Sequence, residues 1–232
     1  MHYETDNSRV TSRTGNTLFE RIHAALPQTQ CTRCGYPDCA AYARALVADN
    51  AAINQCPPGG AEGVQRLAAI TGLPALSLNP ANGSEGPRML AVIDEAWCIG
   101  CTLCIKACPT DAILGSHKMM HTVIDAYCTG CELCVPVCPV DCISLKNVTG
   151  TRTGWRAWSR QQADAARRRY EFHSHQHPVD AMENTKISDK KADSQRSKIP
   201  AKPETTTNAA GLRHAVIEAA LTRAREQREK KT

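Results

Sequence analysis

Two groups of four cysteines, thirty residues apart, are the side chains of this sequence best suited to chemistry. Both follow the spacing C-x2-C-x2-C-x3-C-P; they are Cys98, Cys101, Cys104 and Cys108, and Cys128, Cys131, Cys134 and Cys138. Thiolates at this spacing bind iron–sulfur clusters. Three close sulfurs can hold one face of a cube of iron and sulfide, and a distant fourth sulfur completes the set.

The same spacing predicts that the last cysteine of each group binds the cluster of the other group, as in two-cluster [4Fe–4S] ferredoxin modules. The first ferredoxin set is then Cys98, Cys101, Cys104 and Cys138, and the second ferredoxin set is Cys128, Cys131, Cys134 and Cys108. Zinc is the alternative ligand. Four-cysteine zinc sites usually consist of two separated C-x2-C pairs, so the pattern favours clusters.

A third group precedes these two and is called the N-terminal set: Cys31, Cys34, Cys39 and Cys56. Its spacing is C-x2-C-x4-C-x16-C, and Pro-Pro-Gly-Gly follows Cys56 and stops regular structure there. We predict that it binds a third [4Fe–4S] cluster. A zinc site, structural thiols and a disulfide are the alternatives.

Cys142 is the thirteenth cysteine and stands where the first repeat has Ala112. Both ferredoxin sets are complete without it. We expect a buried, inert thiol in a small core, with a ligand exchange or a redox-sensing role as the alternative.

The cysteine pattern also indicates the compartment. A secreted disulfide framework is disfavoured because the 13 cysteines are odd in number and spaced for clusters. The first residues have no signal-peptide character, and no stretch approaches eighteen consecutive apolar residues. We therefore expect a protein of the reducing cytoplasm.

Charge is unevenly distributed along the chain. Residues 1–150 carry 10 Lys and Arg against 13 Asp and Glu, whereas residues 151–232 carry 18 against 10. An acidic cluster-binding part with a basic tail favours docking to redox partners by charge complementarity. Nucleic acid is not expected as a partner, because the basic residues alternate with acids and lack aromatic neighbours beyond residue 172.

Residues 89–150 form an internal repeat, in which we expect each half to be a strand, a ligand loop, a short helix and a second strand. The predicted fold class is α+β: a small helical [4Fe–4S] domain, then a pseudo-twofold two-cluster ferredoxin domain and a basic tail. The predicted divisions are a disordered N-terminus (1–16), the N-terminal [4Fe–4S] domain (17–73), a linker (74–88), the ferredoxin domain (89–150), a helix (151–173), a disordered linker (174–209) and a basic helix (210–232).

Helical periodicity predicts three helices in the N-terminal domain, over 17–26, 40–48 and 61–73. A further helix is predicted from residue 153 or 154 to about 172, with Trp155, Trp158, Ala166 and Tyr170 on one side. The alternating His173, His175 and His177 are interpreted as part of a solvated linker, with metal capture as the alternative.

The order of these parts resembles the B component of the Rnf/Rsx ion-translocating electron transport complex. Both ferredoxin runs carry the resemblance, together with residues 25–39, 54–60 and 123–143, over about residues 17–170. It implies a cytoplasmic-side subunit of a redox-driven ion translocase that passes electrons between a soluble partner and flavin-bearing membrane subunits. It also implies that the N-terminal set binds a cluster. Family members usually begin with a membrane-spanning helix, whereas this chain begins with a hydrophilic segment.

Three functions are compatible with the sequence. The leading one is an iron–sulfur electron-transfer subunit relaying electrons through three [4Fe–4S] clusters. The alternatives are a stand-alone soluble polyferredoxin and an iron–sulfur redox sensor. No phosphate loop, dinucleotide fingerprint or Ser/His/Asp set occurs in the sequence, so we expect no catalytic residues.

We predict peripheral attachment to the cytoplasmic side of the inner membrane. The basic charge of residues 151–232 attracts anionic surfaces, and salt screens that attraction over about 8–10 Å. The protein should sediment with membranes at low salt and be released at high salt. Deleting residues 174–232 should weaken sedimentation without changing the iron content, whereas retention after a high-salt and an alkaline wash would contradict the prediction.

Overall fold

The computed structural model describes residues 17–177, which contain five α-helices and four β-strands. The helices are α1 (Leu18–Ala25), α2 (Cys39–Val47), α3 (Gly60–Thr71), α4 (Leu103–Ala107) and α5 (Arg160–Gln176). The strands are β1 (Met89–Ile93), β2 (Ile113–Leu114), β3 (Thr122–Val123) and β4 (Ile143–Asn147). Short 3₁₀ turns occupy Pro57–Gly59, Pro80–Asn82 and Gly154–Ala157. None of the helices in this range is long and apolar enough to cross a membrane.

The first three helices form a small apolar core, and their ends lie within two residues of the predicted ones. Thr17 and Glu20 form a reciprocal capping box at the start of α1, and Asp38 caps α2. Gly72 ends α3 in the left-handed conformation. The core is made by the buried side chains Ile22, Leu26, Tyr42, Leu46, Ile53, Val64 and Leu67.

The ferredoxin part contains two antiparallel strand pairs, β1 with β4 and β2 with β3. Ile93 lies opposite Ile143 in the first pair, and Ile113 lies opposite Val123 in the second. These four aliphatic side chains pack in one core with several of the cysteines, including Cys104, Cys108 and Cys134. A mixed helix and strand architecture is therefore present, as the sequence predicts.

The prediction of a short helix in each repeat is wrong for the second one. In the first repeat, α4 follows the cysteine loop, and the Lys106 N–H donates to the Thr102 carbonyl at 3.2 Å. Pro136 takes the place of Lys106 in the second repeat. A proline has no N–H for this bond, and its ring clashes with the preceding turn. Turns therefore replace the helix in residues 133–138.

The predicted single helix after the ferredoxin part is also incorrect at its start. Gly154–Ala157 forms a 3₁₀ turn, and α5 begins at Arg160 behind a capping box between Ser159 and Gln162. Trp155 and Trp158 therefore precede α5 and do not share one of its faces. The extended backbone of Ser159 is what its capping role requires.

Helix α5 contacts both the N-terminal helices and the ferredoxin part. The Tyr170 hydroxyl donates to the Asp38 carboxylate at 3.1 Å, and His173 Nδ1 lies 2.7 Å from the Asp111 carboxylate. His173 thus belongs to a helix and is largely buried, so its assignment to a solvated linker is wrong. The helix also includes residues 174–176, which the sequence assigned to a disordered segment.

The predicted linker, residues 74–88, contacts both the N-terminal domain and the residues that follow the ferredoxin part. The Glu85 carboxylate accepts hydrogen bonds from the Ala61 amide at 2.8 Å and from the Thr153 hydroxyl at 2.6 Å. Trp155 adds a second connection, since its buried indole N–H donates to the Ala25 carbonyl at 2.9 Å. The expectations for residues 1–16, for most of 174–209 and for 210–232 lie outside the described residues.

We predict that Gly130→Ala destabilises the protein more than Gly150→Ala. Both glycines have a left-handed backbone, at φ +67° and +60°, so a Cβ costs about 1–2 kcal/mol at either position. At Gly130 the Cβ would also overlap the Met89 carbonyl oxygen, whereas nothing lies within 4 Å at Gly150. Overpacking adds about 1–3 kcal/mol. Anaerobic thermal unfolding of the two variants measures the difference, and equal midpoints would contradict it.

Candidate iron–sulfur centres

The first ferredoxin set surrounds one enclosed cavity. Cys98, Cys101 and Cys104 line it from the first repeat and Cys138 from the second, with Ile93, Ile99, Val140 and Ile143 among the apolar walls. The structure therefore brings together the four cysteines that the crossover prediction combines. Strand pairing is what makes this possible, because the β1–β4 pair joins the start of the first repeat to the end of the second.

The second ferredoxin set is gathered in the same way from both repeats. Burial, together with the neighbouring Cys108, Cys134 and Cys128, raises the pKa of Cys131 to about 12. Burial likewise raises the pKa of Cys134 to about 12, with Cys108 and Cys128 among its charged neighbours. Cys108 Sγ also accepts a hydrogen bond from the Ala112 amide at 3.2 Å.

The N-terminal set lines a second cavity, with Leu26, Tyr42 and Pro57 in its wall. Two side chains shape the loops that carry the cysteines. Gln30 accepts from the Cys39 amide at 2.9 Å, and the Tyr42 hydroxyl donates to the Ala52 carbonyl at 2.7 Å. Gln55 N–H donates in turn to that hydroxyl at 3.3 Å, which holds the chain next to Cys56.

Each set has the donor chemistry that an iron–sulfur cluster requires. Burial raises the pKa of Cys34 to about 12 and, with the neighbouring thiols, the pKa values of Cys39 and Cys56 well above their usual range. Four crowded thiolates become favourable only beside a cationic centre, and iron is such a centre for soft sulfur ligands. The described residues contain no group of three or more His, Cys, Asp or Glu arranged for a single metal ion.

The loops between the cysteines use backbone conformations that the sequence analysis did not anticipate. Thr102 and Glu132 have φ of +65° and +67°, and Asp111 and Asp141 both have φ of +50°. Such conformations are costly for residues other than glycine and occur where a site requires them. Only Asp111 and Asp141 gave a signal in the sequence, because both repeats carry Asp at that place and Asp is enriched in the left-handed region.

Two further contacts at the sulfurs were missed. His121 is almost completely buried, and its Nδ1 lies 3.3 Å from Cys104 Sγ. Its backbone N–H donates to Cys98 Sγ at 3.4 Å. A single histidine outside the cysteine runs gives no sequence signal for this role, because the contact depends on how β3 returns to the first repeat.

Cys142 is half-buried, whereas the sequence predicted a buried thiol. It lines the cavity of the first ferredoxin set, and its Sγ lies 3.5 Å from Cys138 Sγ. Burial and the contact with Cys138 raise its pKa to about 12. A raised pKa disfavours the nucleophilic thiolate, and the expected inertness of Cys142 stays a prediction.

The N-terminal set and the second ferredoxin set lie on loops that touch. The Thr129 hydroxyl donates to the Thr29 carbonyl at 2.9 Å, and this contact is buried. Arg33 and Glu132 form an ion pair at 2.6 Å. Thr129 and Glu132 flank Cys131, while Thr29 and Arg33 flank Cys31. The contact therefore joins two cysteine loops directly.

Comparison with known proteins gives a class consistent with this geometry. A family model described as a 4Fe-4S dicluster domain matches residues 91–145, and one described as a putative Fe-S cluster matches residues 26–58. The fold and the cysteine sets thus define an iron–sulfur protein with an N-terminal Fe–S region and a dicluster ferredoxin region. No solved structure matches the chain significantly.

Curated relatives identify the family within this class. The chain is 56% identical over 142 residues to the B component of the ion-translocating oxidoreductase complex of Azoarcus sp., covering 61% of this chain and 78% of the relative. Its identity to the protein of the same name from Alkalilimnicola ehrlichii is 52% over 156 residues, covering 66% and 83%. The chain belongs to the family formed by the B components of Rnf-type ion-translocating oxidoreductase complexes.

We predict opposite results for two neighbouring cysteines. Cys138→Ala should remove the cluster of the first ferredoxin set, because that set loses one of its four sulfurs. Cys142→Ala should retain the iron content of the unchanged protein, since Ala112 serves in the matching place of the first repeat. Anaerobic iron analysis with electron paramagnetic resonance (EPR) of the reduced protein checks both. Loss of iron from Cys142→Ala, or a Cys138→Ala defect restricted to the Cys128 cluster, would contradict the assignment.

Proposed function

We propose that this protein is an iron–sulfur electron-transfer subunit of an Rnf-type complex and that it relays electrons through three [4Fe–4S] clusters. The proposed ligands are the N-terminal set, the first ferredoxin set and the second ferredoxin set. The observation that carries the proposal is the gathering of twelve cysteines into three groups of four, two of which line separate cavities. Membership of the B-component family supports the same function.

Each cluster, when bound, supplies a one-electron carrier whose potential depends on burial, charge and hydrogen bonds to sulfur. The residues of this chain supply those conditions. Apolar side chains such as Ile93, Ile143 and Leu26 exclude water from the cavities. Backbone N–H groups of Ala112 and His121 donate to Cys108 and Cys98. No bond-making chemistry by side chains is needed for this function.

We further propose that the ferredoxin region, residues 89–150, has pseudo-twofold symmetry. A shift of thirty residues relates Ile93 to Val123 and Ile113 to Ile143, so it relates the pair Ile93–Ile143 to the pair Val123–Ile113. The same shift relates two hydrogen bonds between the strand ends. The Asp94 amide donates to the Cys142 carbonyl at 2.8 Å, and the Ile124 amide donates to the Ala112 carbonyl at 2.7 Å.

The proposed order of the relay is the N-terminal cluster, the cluster of the second ferredoxin set and then that of the first. The Thr29–Thr129 and Arg33–Glu132 contacts support the first step, since both lie between ligand loops. The second step is supported by Cys104 and Cys134, whose sulfurs are close enough to interact electrostatically. These contacts support the proposed order of the centres for electron flow in either direction.

The proposed partners are redox proteins, among them the flavin-bearing membrane subunits of an Rnf-type complex. We propose that the chain docks on the cytoplasmic side of the inner membrane as a peripheral subunit. The names of the relatives, which describe one component of a complex, support an assembly with other chains. The basic charge of residues 151–232 supports attraction to an acidic surface.

We predict about twelve iron and twelve acid-labile sulfide atoms per chain in anaerobically purified protein, from three clusters of four irons each. Cys56→Ser should reduce both numbers to about eight, because Cys56 belongs only to the N-terminal set. Cys142→Ser is the matched control and should retain twelve. An iron content near eight in the unchanged protein would refute the N-terminal cluster.

The same Cys56→Ser protein tests the proposed order. In the dithionite-reduced protein, paramagnetic clusters that lie close together relax one another. Loss of the N-terminal cluster should slow the relaxation of the second ferredoxin cluster and leave that of the first nearly unchanged. A larger effect on the first ferredoxin cluster would contradict the order.

A further inference from the structure

His121 is placed between a cysteine sulfur and a carbonyl oxygen in the wall of the first ferredoxin cavity. Its Nδ1 lies 3.3 Å from Cys104 Sγ, and its Nε2 lies 3.3 Å from the Ser116 carbonyl oxygen. The side chain is only 1% exposed. A buried polar side chain of this kind needs a partner, so its orientation is a feature of the fold.

The geometry indicates which nitrogen donates. A cysteine sulfur that binds iron is a thiolate and only accepts hydrogen bonds. A separation of 3.3 Å is short for an N–H···S bond, because sulfur is larger than oxygen, but it is long beside the usual 2.9–3.0 Å of N–H···O bonds. A thiolate can face Nδ1 as a hydrogen-bond partner only where that nitrogen carries a proton, so Nδ1 is assigned as the donor to Cys104 Sγ. The Ser116 carbonyl oxygen also only accepts, so its contact with Nε2 is a hydrogen bond only where Nε2 is protonated as well.

The second ferredoxin set has no such donor at the place that matches His121. A shift of thirty residues, which relates the paired strands, places Ala91 where the other half has His121. Ala91 is buried in β1 and has only a methyl group. The cluster of the second ferredoxin set therefore has no side-chain donor from this position.

The residues that lie against Ala91 and His121 also differ in size, and each one fits its partner. The packing therefore accommodates the difference between Ala91 and His121. Ala91 lies opposite Leu145 in the β1–β4 pair. The same shift relates Leu145 to Gly115, and a Cβ at Gly115 would overlap the imidazole ring of His121. A small residue lies opposite a large one in each half. The large residue opposite Ala91 is Leu145, whereas the large residue against Gly115 is His121, at the first cavity. Gly115 thus leaves the space that the ring needs.

We propose that His121 raises the reduction potential of the cluster held by the first ferredoxin set relative to that of the second, and that it does so by donating from Nδ1 to Cys104 Sγ. The inference rests on the proposed clusters. Reduction adds one negative charge to a centre that is already anionic, so a donor at the sulfur stabilises the reduced state more than the oxidised state. A hydrogen bond to an anion is stronger than one to a neutral group, and it strengthens as the charge grows.

The test is an anaerobic potentiometric titration of the full chain followed by EPR. His121→Leu removes the donor and keeps most of the volume, whereas His121→Asn keeps an N–H donor near the position of Nδ1. We expect His121→Leu to disfavour reduction of one cluster about tenfold, which is about 59 mV for one electron. His121→Asn should recover most of this shift, and the other two clusters should keep their potentials in both variants.

Gly115→Ala is a second variant, which tests the contact between His121 and Cys104 while keeping His121 in the chain. The added methyl group should displace the imidazole ring and lower the potential of the same cluster. If Gly115 acts through His121, the double variant Gly115→Ala/His121→Leu should show no larger shift than His121→Leu alone. Additive shifts would show that Gly115 affects the cluster by another path and would overturn the proposed role of the packing.

Labelling with histidine that carries ¹⁵N only in the imidazole ring identifies the cluster concerned, because the backbone N–H of His121 also donates to a sulfur of this set, Cys98. Hyperfine spectroscopy of the reduced protein should show a weak nitrogen coupling at the cluster whose potential shifts, and His121→Leu should abolish it. Unchanged potentials in His121→Leu, or equal shifts of all three clusters, would overturn the inference while leaving the proposed function intact. Absence of iron at the first ferredoxin set in the unchanged protein would overturn both.

Discussion

The burial of crowded cysteine sulfurs is the constraint on which this structure depends. Each set places four thiols in a buried space, where burial and their neighbours oppose ionisation, as the raised pKa values of Cys34 and Cys131 show. A cationic iron centre removes that opposition, so cluster binding and the stability of the surrounding fold are coupled. The protein cores are correspondingly small, and the chain has an aromatic content of only 4%.

Contacts distant in sequence hold the cysteine loops in place around these centres. Glu85, Trp155 and Tyr170 each join segments that are far apart in the chain, at lengths between 2.6 and 3.1 Å. The indole of Trp155 is additionally covered by the Arg66 guanidinium, 4.1 Å from the ring centroid. These bonds come from parts of the sequence that the cysteine motifs do not include, and they join the N-terminal helices and Glu85 to the residues that follow the ferredoxin part.

The sequence predicts well those features that depend on local spacing. The three N-terminal helices and β1 follow from periodicity and from the repeat, and the four cysteines predicted for the first ferredoxin set line one cavity. The sequence prediction fails where a single residue changes the local structure. Pro136 prevents a helix in the second repeat, and Ser159 caps α5 later in the chain than predicted. The sequence also gives no access to contacts such as Thr29–Thr129 or His121–Cys104, because both require knowledge of which loops the fold brings together.

The differences between the two ferredoxin repeats are as informative as their similarity. Thr129 and Glu132 in the second repeat contact the N-terminal domain, whereas their counterparts in the first are Ile99, which is 56% exposed, and Thr102. A symmetric pair of centres would offer electrons no preferred route. The neighbouring domain covers one ligand loop and leaves the other exposed, which would give the two centres different positions in the proposed relay. Thr129 and Glu132, together with the helix that only the first repeat contains, distinguish the surroundings of the two ligand loops.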